Sequence, residues 1–549
     1  MIHTVMSRKS WAVLPLAAVL ALGGCTRRDA APPPVGQAVL RISQRNEPGD
    51  LDPAIASMPD DFFIIRALSE GLVIPSPDGA TPVPAAAERW EVSPDQLRYT
   101  FHLRSNERWS NGEPVTAEDF LESFRRVLSP GTAAPKADLF FPVKNARDYL
   151  SGKLEDFGSV GFNAPDSQTV AVTLDRPMPP GEFLPYAASG PWIPVNPRAV
   201  SRLGSQWTRP GNFVGNGPYT LTEWLPNQRI TVKPNSFYRA AGQVRLAAIQ
   251  FVRFDDEDSE ERAYRAGQVD VTMKVPTERI ETYAHERPAE LHRAPLAETR
   301  YLSFNTRRPA LNDPRVRQAL SMAIDQRRIV DDVLRGGQEP ADRLIPTAIS
   351  TGVLDKGPPR GLGYDPAEAR RLLAAAGYPD GRNFPHLELS GWSSAPVLEA
   401  IQEMWKKELG IEVAIVLREA RAHVAALRSG AYDIGFITLI PDVPDPISIL
   451  ENFTTDSPNN YPHWSDGVYD YLIQLAESAG NPAKDVGNFD AVALRGAESL
   501  LLTEAPLAPV YFNSKVWVMR TYVHGWREDA LWTRYYGDLW MDSTGIPRH

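Results

Sequence analysis

The chain has 549 residues, too many for one ordinary hydrophobic core, so about two or three domains are expected. It is 43% hydrophobic and 23% charged, the make-up of a globular protein. Its 68 acids outnumber 58 bases with no Lys/Arg block, which disfavours a nucleic-acid partner, because neutralising phosphates takes a basic face.

The first segment reads as an address. Arg8 and Lys9 precede the apolar run "WAVLPLAAVLALGG", too short and proline-broken for a membrane span. The run ends in "LGGC", and Cys25 is the only cysteine, so no intrachain disulfide can form. "TRRDAAPPPVG" follows, polar and then proline-rich, as suits a tether.

Beyond it, "YTFHLR" (Tyr99 to Arg104) and "TVAVTLD" (Thr169 to Asp175) alternate apolar and polar residues, the period of half-buried strands. Between them, "VTAEDFLESFRRVL" predicts a helix from Thr116 that buries Phe120, Phe124, Val127 and Leu128. "YTLTEW" and "RITVK" flank "LPNQ", a hairpin turning at Pro226-Asn227. The acidic run Asp255 to Glu261 lacks the ligand spacing and central glycine of a calcium loop, and acids opening the helix "ERAYRAG" complement its dipole.

Asp313 and Pro314 open a second helix, with Val316, Ala319, Leu320, Ala323 and Ile324 on one face. Asp365 caps a third; Glu368 is placed to close a capping box and Gly377 to end it. "LEAIQEMWKKELGIEVAIV" predicts a helix, a stop at Gly410, and a strand alternating Ile411, Val413 and Ile415. The apolar run "YDIGFIT" then meets "LIPDVPDP". Pro441 and Pro444 cannot donate to a sheet ladder, so the chain must leave the sheet there. Asp445 is a good N-cap ahead of Pro446. On local sequence Asp442 is an ordinary turn acid. No zinc pair, nucleophile elbow or phosphate loop is present, "GNFVGNGPY" has the wrong spacing for a dinucleotide fingerprint, and the nine histidines are dispersed.

Ordered motifs along the chain carry a resemblance. "EPGDLDPA" (Glu47 to Ala54), "LSEGLVIPSPDG", "AAAERWEVSPDQLRYTFHLRSNERWSNGEPVTAEDF", "NGPYTLTEW", "YRAGQVDV", "FNTRRPALNDPRVRQALSMAID" and "EAPLAPVYF" occur in register over some five hundred residues. Together they resemble the extracytoplasmic solute-binding proteins of oligopeptide and dipeptide ABC transporters (family 5), and "LGGC" resembles a bacterial lipobox. The resemblance implies a mixed α/β fold of two lobes around a hinge, with an extra domain on the first lobe.

The expected parts are a lipoprotein signal (1–24) and a tether (25–36). Domain I is made of 37–76, 194–282 and 510–549, domain II of 77–193, and domain III, the second lobe, of 283–509. A peptide is expected to lie extended in the cleft, bound through its main chain by an added-strand geometry. Its α-ammonium then needs a carboxylate, since an unpaired buried charge is too costly.

On the family's pattern Asp442 is that carboxylate. Thr438 and Ile440 fall on the strand edge that pairs with ligand, Ser57 and Met58 on a backbone-contact segment, and Tyr511 on a cleft-facing tyrosine. This chain departs at Thr438-Leu439, where members carry Gly-Trp, and at Ala420, where a Trp is usual; Trp392 is the expected replacement wall. Cys25 is the expected lipid-attachment residue. The implied role is a non-enzymatic, lipid-anchored periplasmic or cell-surface monomer without cofactor or metal, delivering peptide to an ABC permease and ATPase complex. The alternatives are another solute on the same fold (metal chelate, haem, opine or cell-wall peptide), a ligand sensor at a membrane receptor, and a lipoprotein hydrolase.

Overall fold

The computed structural model describes residue 1 and residues 38–76, 81–349, 361–392, 395–478 and 489–542. The expected signal, Cys25 and the tether lie outside the described residues. Residues 33–549 form one compact unit, and among the described residues no helix is long and apolar enough to cross a membrane.

The unit is built on three main sheets. The first has the strand order Val39–Gln44, Ala248–Arg253, Arg229–Pro234, Tyr219–Leu225. Its first pair is parallel, and the last is the expected hairpin, with Asn227 in the left-handed region at φ 57°. Two acids of the "EPGDLDPA" motif serve this region structurally. Glu47 accepts from Trp224 Nε1 (2.5 Å) and the Asn227 N–H, while buried Asp52 is forked by Arg126.

The second sheet is antiparallel, in the order Ala87–Val92, Arg98–Leu103, Thr169–Thr173, Phe162–Asp166. The alternation read in the sequence points Tyr99, Phe101, Leu103, Val170 and Val172 inward. They meet the helix Ala117–Leu128, whose Thr116 cap accepts from the Asp119 N–H. Phe124 sits 4.8–5.4 Å from the rings of Phe162, Trp192 and Phe140, and Phe140 stacks on Trp192 at 4.6 Å. This aromatic core gives the loops around it a fixed base.

The third sheet is mixed and six-stranded: Glu339–Pro340, Leu507–Val518, Leu291–Phe304, Ile434–Leu439, Leu387–Gly391, Val413–Leu417. Its two longest strands pair along their length, with the register shifted between Pro295 and Thr299 and again between Arg300 and Tyr301. One end of the pair lies in the sheet; the other reaches the first sheet's neighbourhood, where the Thr272 N–H donates to Val518 O. The architecture is a mixed α/β fold built on these three sheets.

Two local expectations are corrected. Glu368 does not close a capping box: its carboxylate takes Arg371, and the Asp365 N–H donates to Met322 O instead. The acids ending the 255–261 run do more than complement a dipole. Glu260 is buried and accepts from Ser43 and the Met273 N–H, and buried Glu261 takes Tyr283 and Arg265.

Candidate functional site

A cavity of 2180 Å³ is lined by the third sheet on one side and, on the other, by the end of the first sheet and the turn at Lys136 and Asp138. It exceeds the roughly 300–1,000 Å³ of ordinary small-molecule sites, so it can hold an extended ligand. Asp442, Ser57, Met58, Trp392 and Tyr511 all line it; Thr438 and Ile440 do not.

Asp442 gets there for the reason the prolines suggested. The Ile434–Leu439 strand ends, Val443 turns inward as a buried anchor, and the Asp445 N–H closes the loop on Val443 O at 2.8 Å. Asp445 caps the next short helix, accepting from the Ile447 N–H at 3.1 Å. That leaves the Asp442 carboxylate facing the cavity, where its Oδ1 accepts from Lys136 Nζ. Partial desolvation at the cleft wall, and then the Asp442 charge, raise neighbouring Asp138 above the usual carboxylate range.

The strand leading to Asp442 has one edge that is only partly paired. One side pairs with Leu291–Phe304 up to Leu439. On the other, among the described residues, Leu387–Gly391 meets it only at Ile434 and Gly435. His423 Nε2 lies 3.1 Å from Phe436 O on this strand, and burial holds the imidazole below its ordinary pKa. Thr438 faces Arg300 across the ladder, its hydroxyl oxygen buried without a hydrogen-bond partner among the described residues; Ile440 is exposed past the strand end.

Ser57 and Met58 stand on the opposite wall, but their N–H groups are committed. Both donate to Asp61 Oδ2, at 3.2 and 3.1 Å, and the Gly49 N–H takes Oδ1. With Pro59 following, this segment offers side chains to a ligand and keeps those two amides for its own helix start. Tyr511 is buried in the third sheet's core against Phe436, with ring centroids 6.3 Å apart.

Trp392 forms a half-buried wall between the His423 ring at 5.5 Å and the Arg300 guanidinium at 5.3 Å. Arg300 gives Nε to Glu298 at 3.0 Å, while its Nη1 is buried with no partner among the described residues. Lys136, Asp138 and Arg300 are cavity residues that sequence reasoning passed over. Lys136 lies in a turn, 306 residues before its partner, and no local pattern marks it.

With the geometry in place, the chain was compared with known proteins. The family model "Bacterial extracellular solute-binding proteins, family 5 Middle" matches residues 81–461. A probable deoxycholate-binding periplasmic protein of Escherichia coli K12 is 32% identical over 498 residues, 89% of this chain and 90% of that protein. The periplasmic murein peptide-binding protein of the same organism is 30% identical over 500 residues, covering 89% and 91%. Among solved structures, the E. coli murein tripeptide-binding protein superposes with a TM-score of 0.81 at 29% identity, over 92% of this chain and 99% of that one. The Haemophilus influenzae oligopeptide-binding protein in complex with RPPGFSPFR gives 0.79 at 26% identity, over 92% and 99%.

Proposed function

The chain belongs to the bacterial extracellular solute-binding proteins of family 5, and from that premise we propose that it is the peptide-binding subunit of an ABC importer, lipid-anchored at Cys25. It encloses an extended peptide between its lobes, partitioned as expected from the sequence, and delivers it to a permease without catalysing a reaction. The observation that carries this reading is the Asp442 carboxylate: it lines a cavity of 2180 Å³, past the end of a strand whose edge beyond Gly435 has no strand partner among the described residues, and it is already bonded to an ammonium group. The edge supplies main-chain affinity that reads no side chains. The carboxylate selects the charged end, with Trp392 as a wall and Tyr511 beneath it.

A pool of short peptides is expected to raise the melting temperature, since ligand at about 100 times Kd adds roughly 2.7 kcal/mol. Lobe closure is expected to shrink the radius of gyration in solution scattering. Native mass spectrometry of freshly purified protein is expected to show retained peptides.

A second reading has its own support. One relative is named as a probable deoxycholate-binding protein, and deoxycholate is an amphipathic anion; here Lys136 neutralises Asp442 while Arg300 Nη1 has no partner among the described residues. If deoxycholate shifts melting and scattering while the peptide pool does neither, that reading replaces the first.

A further inference from the structure

Asp442 already has an ammonium partner. Lys136 Nζ, chemically the same group as a peptide's terminus, donates to its Oδ1. The two residues come from loops of different parts of the fold. Lys136 leads into the turn Ala137–Phe140, which is nailed down by the stacking of Phe140 on Trp192. Asp442 lies in the loop that follows the Ile434–Leu439 strand of the six-stranded sheet. The pair therefore crosses the cleft, and it is wet: the Lys136 side chain is 24% exposed and that of Asp442 41%. Exposed pairs hold their partners by a factor of only roughly 1.5–5, so this lysine can be displaced.

It also has somewhere to go. Asp138 follows two residues later, exposed on the same cavity wall and close enough that the Asp442 charge raises its pKa and the Lys136 charge lowers it. The other charges acting here are Arg147, which lowers Asp138, and Glu451, pushed up to about 7 by burial, then by Glu477, Asp138 and Asp445. Asp442 and Asp138 both face the one Lys136 ammonium across this corner of the cavity.

Resting on the reading of Asp442 as the clamp for a ligand's ammonium, we propose that Lys136 is a tethered competitor for that clamp. It occupies Asp442 when the cleft is empty, yields to the ligand's ammonium, and transfers to Asp138. Lysine suits this exchange, because its ammonium is a compact point charge with three rotatable donors on a flexible stem. With ligand bound, Asp442 keeps the ligand's ammonium and Asp138 takes that of Lys136. A ligand with a blocked terminus leaves the Lys136–Asp442 pair in place and gains nothing from it. Lys136 thus lowers the affinity of free-amine ligands and narrows their margin over blocked ones.

The test uses a randomised tetrapeptide library and the same library N-acetylated, each titrated by calorimetry into wild type, Lys136→Met, Asp138→Asn and the double variant. Lys136→Met is expected to bind the free library roughly two- to five-fold tighter, with the acetylated library unchanged. Asp138→Asn is expected to weaken the free library by a similar factor in wild type and to do nothing in the Lys136→Met background, where no lysine needs a second partner. Lys136→Gln must behave as Lys136→Met, which removes side-chain shape as the cause. Weaker binding of both libraries by Lys136→Met would make Lys136 a direct ligand contact and overturn the proposal; so would unchanged binding of both. Equal affinity of wild type for the two libraries would overturn the Asp442 clamp itself. A clamp that discriminates while Lys136→Met has no effect would overturn only the competitor.

Discussion

Replacing Glu528 with Gln strands two buried cations. Glu528 Oε2 accepts from Lys515 Nζ at 2.5 Å, and Oε1 lies 3.4 Å from Arg534 Nε. The three side chains are 5%, 1% and 1% exposed. Trp517 and Trp532 hold the Lys515 ammonium 4.8 and 5.2 Å from their rings, and the Arg534 guanidinium lies 3.8 Å over Phe63. This cluster matters to the cleft because the Leu507–Val518 strand alternates: Ser514 and Val516 line the cavity, and Lys515 points away from it into the cage. The network fixes the strand that joins the sheets.

Removing one side of a buried pair costs about 3–5 kcal/mol. Here the lower end is expected, because burial already holds Lys515 at about 8 despite the attraction of Glu528. Without that carboxylate Lys515 sheds its proton near neutral pH and stops paying for its own burial. Urea unfolding of Glu528→Gln at pH 7 is expected to show a loss of about 3 kcal/mol with an unchanged m-value. The pH dependence follows in sign. A lysine titrating near 8 when folded and about 10.4 when unfolded makes the unfolded chain bind more protons between those values, so wild-type stability contributed by this group rises with pH across them. In Glu528→Gln that rise starts lower. A loss under about 1 kcal/mol, or an unmoved pH profile, would refute the network as the strand's support.

Burial pushes Glu107, 2% exposed, up to about 7. The folded chain therefore holds a proton that the unfolded one releases above about 4.5, so this group's contribution falls as pH rises from about 4.5 to 7; Glu107→Gln is expected to remove up to about 3 kcal/mol of that slope in a urea series. For the anchor, Cys25→Ser is expected to leave an uncleaved or soluble form, since acyl chains supply about 0.8 kcal/mol per buried CH₂; an unlabelled mature wild-type band after feeding an alkyne fatty acid would contradict the lipid reading.

Patterns of short range were legible in the sequence. The alternation in "YTFHLR" and "TVAVTLD" put the right side chains inside, the Thr116, Asp313 and Asp365 caps accept from first-turn amides, and the prolines around Asp442 turn the chain out of its sheet. Contacts across the chain were not legible, because they depend on which surfaces meet. Nothing around Lys136 announces Asp442, and nothing around Lys515 announces the tryptophans that cage it. Glu260 and Glu261 look like solvated helix acids until Ser43 and Tyr283 arrive from elsewhere. Ser57 and Met58 sit on the cavity as aligned, yet Asp61, three and four residues on, claims their amides; the capping acid was visible, its priority over a ligand was not.

The central claim, that Asp442 holds a ligand's ammonium, is tested most directly by a double-mutant cycle between that carboxylate and the ammonium. Calorimetry would use wild type and Asp442→Asn, each with a peptide retained on purification and with its N-acetylated form. Acetylation is expected to cost wild type about 1.5–3 kcal/mol, the range of a hydrogen bond to a charged group, or roughly 10- to 150-fold in affinity. The figure stays below that of a sealed ion pair because Lys136 returns to the carboxylate when the ligand offers no charge. Asp442→Asn is expected to weaken the free peptide similarly and the acetylated one far less, giving a coupling of at least 1 kcal/mol. Losses that simply add would place the ammonium elsewhere and return Asp442 to a turn acid.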